Sequence, residues 1–133
     1  MPAKTNPSVW PELQSRDAKA LIGFLTEAFG FEEVLVVEEG GIVHHAELRW
    51  SGCGGVMLGD VRAHPDDPLH AQLPAGPTSL FVVCDDPDAL FDRATAHGVE
   101  VLQGVQDKDY GSRDFLVRDP EGNVWNFGTY RGA

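Results

Sequence analysis

Positive charge is scarce in this 133-residue chain: ten Lys and Arg face twenty-one Asp and Glu, a formal net charge of -11. A nucleic-acid binder needs a basic footprint to meet phosphates, so that class is excluded, and an anionic membrane surface is disfavoured for the same reason. Cysteine is nearly absent. Cys53 and Cys84 are too few for a disulfide framework and lack CxxC spacing. No apolar run approaches the roughly 18 residues that cross a bilayer, and residues 1–7 have no hydrophobic leader core. Also missing are a phosphate-cradling glycine loop, a Ser/His/Asp order and a defensible pair of catalytic carboxylates, so no catalytic residue is assigned. These absences leave a cytoplasmic, single-domain protein that handles a small organic molecule, cationic or neutral sooner than anionic.

What the chain does have is an internal repeat. Residues 18–29 set Ala18, Leu21, Ile22, Leu25 and Phe29 on one helical stripe, with Asp17 as N-cap and Gly30 as terminator. Residues 87–97 repeat the scheme with Asp86 as cap, Pro87 at the first helical position and Gly98 as terminator. Each helix follows a short strand pattern (9–13 and 79–84) and precedes another (31–39 and 99–105). Two hairpin patterns come next: 42–50 with 55–59 around a Gly-rich turn, and 112–118 with 123–128 around Asp119-Pro120-Glu121-Gly122. Trp10 lies seven residues before Asp17, as Ser79 lies seven before Asp86, so the two copies are in step. The predicted fold class is α+β, two tandem βαβββ units at 8–60 and 78–128. The proline-rich residues 61–77 between them read as a linker.

GFLTEAFGFEEV (23–34), RDPEGNVWNFGTY (118–130) and the duplicated βαβββ pattern resemble the vicinal-oxygen-chelate group: glyoxalase I, extradiol dioxygenases and bleomycin-resistance proteins. The resemblance covers about residues 8–128. It implies curved mixed sheets forming half-barrels around a cavity, and a homodimer. It also implies where metal-dependent members take their ligands: seven residues before each helix cap, and in the middle of each unit's last strand. Here those positions hold Trp10, Met57, Ser79 and Asn126. None is His, Glu or Asp, so the donor chemistry of a Zn²⁺ or Ni²⁺ site is missing, and neither metal nor other cofactor is expected.

Several residues remain for a ligand. Alternation along 42–49 puts Ile42, His44, Ala46 and Leu48 toward the helix, and Val43, His45, Glu47 and Arg49 on the concave face. His45 and Glu47 read first as an ion-paired strand face, and otherwise as a pair that shuttles a proton or shares a metal. Trp10, Met57 and Phe81 supply apolar wall, with Glu12, His45, Glu47, Ser79 and Asn126 as polar groups, which suits an amphipathic ligand. Tyr110 and Arg113 border a polar segment, 107–114, that closes over a ligand or simply connects strands. His64, His70 and His97 read as surface groups. The leading expectation is a metal-free binding protein, similar to bleomycin-resistance proteins, that sequesters a cationic or aromatic compound such as an antibiotic. The alternative is a lyase, isomerase or dioxygenase-like enzyme using His45 and Glu47.

Overall fold

A computed structural model describes residues 7–63, 65, 66, 68 and 75–133. Most of the linker's centre, with His64 and His70, lies outside these described residues. The chain divides into two compact units, residues 1–76 and 77–133.

In the first unit β1 (Glu12–Ser15) leads into α1 (Ala18–Phe24), followed by β2 (Glu32–Glu39), β3 (Ile42–Arg49) and β4 (Gly55–Asp60). The strands form one sheet in the order β1-β4-β3-β2, with β1 parallel to β4 and the other pairs antiparallel. Asp17 caps α1 by accepting from the Ala20 amide at 3.2 Å. The helix continues as a π-helical turn over Leu25–Phe29, where a regular α-helix was expected, and ends at Gly30 with φ of 86°. The wider turn still buries Leu25, Ala28 and Phe29. The strand starts later than the predicted 9–13, just after Pro11, which has no N–H to give. The Pro11 carbonyl makes the entry contact, accepting from the Met57 amide at 2.9 Å. Leu13, Ala46, Leu48, Val56 and Leu58 bury the helix-side face of this sheet.

The β2–β3 pair departs from simple alternation. β2 and β3 meet in a two-residue turn, Gly40-Gly41, both with positive φ, as a primed hairpin turn needs. Val37 then pairs with His45 but Glu38 with Val43, so β3 carries an extra residue at His44. The bulge corrects the expected face assignment: Val43 is buried in the core, and His44 and His45 are both half-buried.

Asp60 ends β4 almost fully buried. Its carboxylate accepts from the Arg62 amide and guanidinium at 2.7–2.9 Å, and from the Ala18 amide at 3.4 Å. It thus ties the end of the sheet to the start of α1. The Arg62 hydrogen bonds, chiefly that of its side chain, outweigh burial and hold the Asp60 carboxyl below the ordinary range. A carboxyl whose pKa is depressed on folding contributes stability above its unfolded value, about 3.9, and loses it as pH falls through the lower folded value. Thermal melts below about pH 4 should therefore fall more steeply for the native protein than for Asp60→Asn. Parallel acid limbs for the two proteins would refute this role.

The second unit repeats the order: β5 (Ser79–Val83), α2 (Pro87–Ala96), β6 (Glu100–Asp107), β7 (Arg113–Arg118) and β8 (Val124–Gly128). Its sheet order is β5-β8-β7-β6, again with the first strand parallel to the last. Asp86 caps α2 by accepting from the Ala89 amide at 3.1 Å, and Gly98 follows it with φ of 75°. Two βαβββ units in an α+β chain are therefore what folds. Trp125, Phe127, Phe115 and Val117 are fully buried, with Phe127 stacked on Phe115 at 5.3 Å and Phe91 of α2 edge-on to Phe115 at 5.2 Å. The β7–β8 turn is pinned from inside by Asp119. Its Oδ1 accepts from the Glu121 and Asn123 amides, and its Oδ2 from Asn123 Nδ2 and Trp125 Nε1.

Candidate functional site

With one face of each sheet covered by its helix, the candidate residues fall on the other. In the first unit, direct partners across the strands share a face, so Glu12, Met57, Glu47 and Leu35 form one transverse row. Arg49 pairs with Gly55 in the next row, and Trp10 lies beside them. The space a Gly55 side chain would fill is closed by the Leu48 carbonyl oxygen, and the indole lies against it, its Cζ3 3.0 Å from where that Cβ would stand. The Arg49 guanidinium sits 5.2 Å from the indole centroid, a cation–π contact. His45 Nε2 and Glu47 Oε2 are 2.9 Å apart. The unit thus gathers Trp10, Glu12, His45, Glu47 and Met57 on one face, with Arg49 as an added member. Arg49 was legible as concave-facing but not as the indole's partner, since that contact depends on Gly55 being bare.

In the second unit the corresponding row is Phe81, Asn126, Leu116 and Gln103. Phe81 is 43% exposed, and its ring edge lies 3.0 Å from where a Gly128 Cβ would stand. Ser79 is exposed at the start of the same strand, opposite Val124. Tyr110 donates to Asp114 Oδ2 at 2.7 Å, and this bond pushes the phenol's pKa up; its ring also meets Tyr130 edge-on at 5.7 Å. Asp114 in turn pairs with Gly128, against which Phe81 rests, so Tyr110 belongs to the edge of this face. Arg113 does not. It shares alternation with the core residues Phe115 and Val117 and grips Asp88 of α2 through two 2.9 Å bonds, with Asp107 at 3.1 Å. The Asp88 and Asp107 carboxylates hold its charge in place and raise its pKa further. The expectation that Arg113 meets a ligand gives way to an anchoring role between strand and helix.

The donor chemistry of the family's metal positions can be tested on this geometry. Met57 and Asn126 occupy equivalent middles of β4 and β8; Ser79 begins β5, and Trp10 stands two residues before β1. An indole N–H, a thioether, a hydroxyl and an amide do not make the donor set of a Zn²⁺ or Ni²⁺ site. Among the described residues, no cluster of three or more His, Cys, Asp or Glu side chains is arranged to hold a metal ion. His45 and Glu47 are a pair where a site wants three. Nucleophilic chemistry through Cys84 is also unfavourable: burial, then Asp85 and Asp86, push its thiol up to about 11, so it stays protonated at neutral pH. Among the described residues no helix is long and apolar enough to cross a membrane.

The fold agrees with comparisons to known proteins. The family model for the glyoxalase/bleomycin resistance protein/dioxygenase superfamily matches residues 9–127. An uncharacterized protein of Mycobacterium bovis is 30% identical over 131 residues, spanning 96% of this chain and 86% of its own. The crystal structure of TioX from Micromonospora sp. ML1 is 34% identical with a TM-score of 0.74, covering 88% of this chain and 93% of that one. Lactoylglutathione lyase from Agrobacterium tumefaciens, at 23% identity and a TM-score of 0.67 over 93% of this chain and 95% of its own, shares the fold alone. The chain belongs to the glyoxalase/bleomycin resistance protein/dioxygenase superfamily.

Proposed function

We propose that this chain is a small-molecule-binding member of its superfamily, metal-free, cytoplasmic and homodimeric, which sequesters an amphipathic or cationic organic compound such as an antibiotic. The observation that carries this reading is the replacement of the family's ligand set by Trp10, Met57, Ser79 and Asn126, groups that bind organic surface better than metal. An acidic chain with a net charge of -11 favours encounter with a cation. Trp10 offers a broad aromatic face, and Glu12 and Glu47 stand one row away to meet positive charge.

The second reading, proton-transfer catalysis, rests on the 2.9 Å His45–Glu47 contact, in which a carboxylate orients an imidazole. Binding without turnover separates the two. In the leading reading, bleomycin raises the melting temperature, EDTA leaves it unchanged, and the methylglyoxal–glutathione hemithioacetal is not consumed even with added Ni²⁺ or Zn²⁺. Trp10→Ala should weaken bleomycin binding about tenfold, equivalent to about 1.4 kcal/mol, while lowering stability only modestly. A variant that melts far earlier yet keeps full affinity would make Trp10 core and reject its place in the site. Stoichiometric bound metal or hemithioacetal turnover would reject the sequestering reading outright.

A further inference from the structure

Among the described residues, three buried side-chain atoms of the second unit make no hydrogen bond: Asp114 Oδ1, which has the Lys108 ammonium 3.9 Å away, and two on the helix-free face that have no ion pair either. Asn126 Oδ1, an acceptor, and Gln103 Nε2, a donor, are both buried from solvent and make no hydrogen bond. They belong to one transverse row: Asn126 pairs with Phe81 on one side and Leu116 on the other, and Leu116 pairs with Gln103. Gln103 reaches this row because β6 bulges after Val101, which pairs with Val117 of the opposite face; without the extra residue, its alternation would turn it away. A buried amide atom left unbonded is costly, and such groups in native proteins call for an explanation. The fold does not use these two. The unit's structural polar groups, Asp119 and Asn123, are bonded to one another and to the turn, whereas Asn126 Oδ1 and Gln103 Nε2 are open toward nothing in the chain.

We infer that this row reads a carboxamide carried on an aromatic ring: the ligand's amide N–H donates to Asn126 Oδ1, and its carbonyl accepts from Gln103 Nε2. The inference rests on the small-molecule-binding reading and names the ligand's chemical class. The complementarity holds for the side-chain orientations the structure shows, with Asn126 Oδ1 and Gln103 Nε2 as the buried atoms. A carboxylate could accept from Gln103 but would face the Asn126 oxygen with like polarity. An ammonium could donate to Asn126 but would face the Gln103 donor. An amide presents a donor and an acceptor together and satisfies both. The two backbones stand two strand spacings apart, about 10 Å, with Leu116 between them as an apolar floor under the amide plane. Phe81, exposed at the end of the row, supplies a ring for the ligand's aromatic part to stack on.

The test uses the intact chain with benzamide as probe and methyl benzoate as its counterpart lacking the N–H. Benzamide should shift the side-chain amide resonances of Asn126 and Gln103 in a saturable NMR titration, and methyl benzoate should bind at least tenfold more weakly. Asn126→Leu and Gln103→Leu should each melt higher than the native protein by about 2–5 °C, because an unbonded buried polar atom is removed, and should lose benzamide binding. This pairing of gained stability with lost binding is not what a structural amide would show. Lower melting temperatures in both variants, equal affinity for ester and amide, or no benzamide binding would each overturn the inference. Bleomycin titrated in parallel separates the two levels. If it binds the native protein and both variants alike, the amide site fails and sequestration stands; if it does not bind the native protein, the sequestering reading itself fails.

Discussion

The Asp119→Ala variant is expected to lose about 3–5 kcal/mol of folding stability, a fall in melting temperature of about 10–20 °C for a chain of this size. The carboxylate is 4% exposed and accepts four hydrogen bonds at 2.8–3.1 Å. Alanine removes the acceptor but leaves the donors: two backbone amides, the Asn123 side chain and the indole N–H of the fully buried Trp125. Each donor stranded away from water costs more than the bond itself was worth, because folding no longer returns what desolvation took. Trp125 is the centre of the second unit's core, so its reorientation would spread to Phe127, stacked 6.0 Å away. Asp119→Asn keeps Oδ1 for the two backbone amides and turns an NH₂ toward Asn123 and Trp125, so it should lie between. Urea unfolding with tryptophan fluorescence measures all three proteins. A loss under about 1 kcal/mol for Asp119→Ala would mean that Pro120 and the positive φ of Gly122 hold the turn without the carboxylate.

That turn was legible in the sequence as a reversal, because Pro at the second position and Gly at the fourth state their backbone angles in their covalent structure. The helix caps Asp17 and Asp86 were legible for a similar reason: a short carboxylate before an apolar stripe has few better places to be. Less legible was everything that depends on register. Val43 was expected on the open face and is buried, because the bulge at His44 resets alternation and nothing in IVHHAELR marks which residue will be extra. The bulge in β6 hid Gln103 in the same way. Arg113 was read from the loop it borders, whereas its side chain is governed by the parity of β7 and by the Asp88 and Asp107 carboxylates within reach. Of the candidate site, the positions taken from the resemblance were legible by counting from the helix caps, and each lies on the helix-free side of its own unit. The partners that give those faces their chemistry, Arg49 over Trp10 and Gln103 across from Asn126, required the folded pairing.

Gly55→Ala should be the more damaging change in the first unit, although it adds one methyl group. A Cβ built at Gly55 falls well under 3.0 Å from the Leu48 carbonyl oxygen, a backbone atom of the neighbouring strand, and 3.0 Å from Trp10 Cζ3. A side chain could rotate away, but a strand carbonyl moves only with its strand. Gly55 pairs with Arg49 at the mouth of the β3–β4 hairpin, where the Trp50 amide donates to the Gly54 carbonyl at 3.0 Å, so relief means opening the hairpin at its turn. The expected loss is about 2–4 kcal/mol, the range of overpacked and strained positions. The same displacement lifts the indole off its seat and parts it from Arg49, so the bleomycin affinity of the folded fraction should fall at least as far as in Trp10→Ala. Gly104→Ala in β6 is the control: no atom lies within 4 Å of its Cβ position, and its backbone needs no positive φ. Its stability should match the native protein or exceed it slightly. Equal melting temperatures for the two alanine variants would show that the strand pair yields at Gly55, and the seat of Trp10 would then owe nothing to the missing side chain.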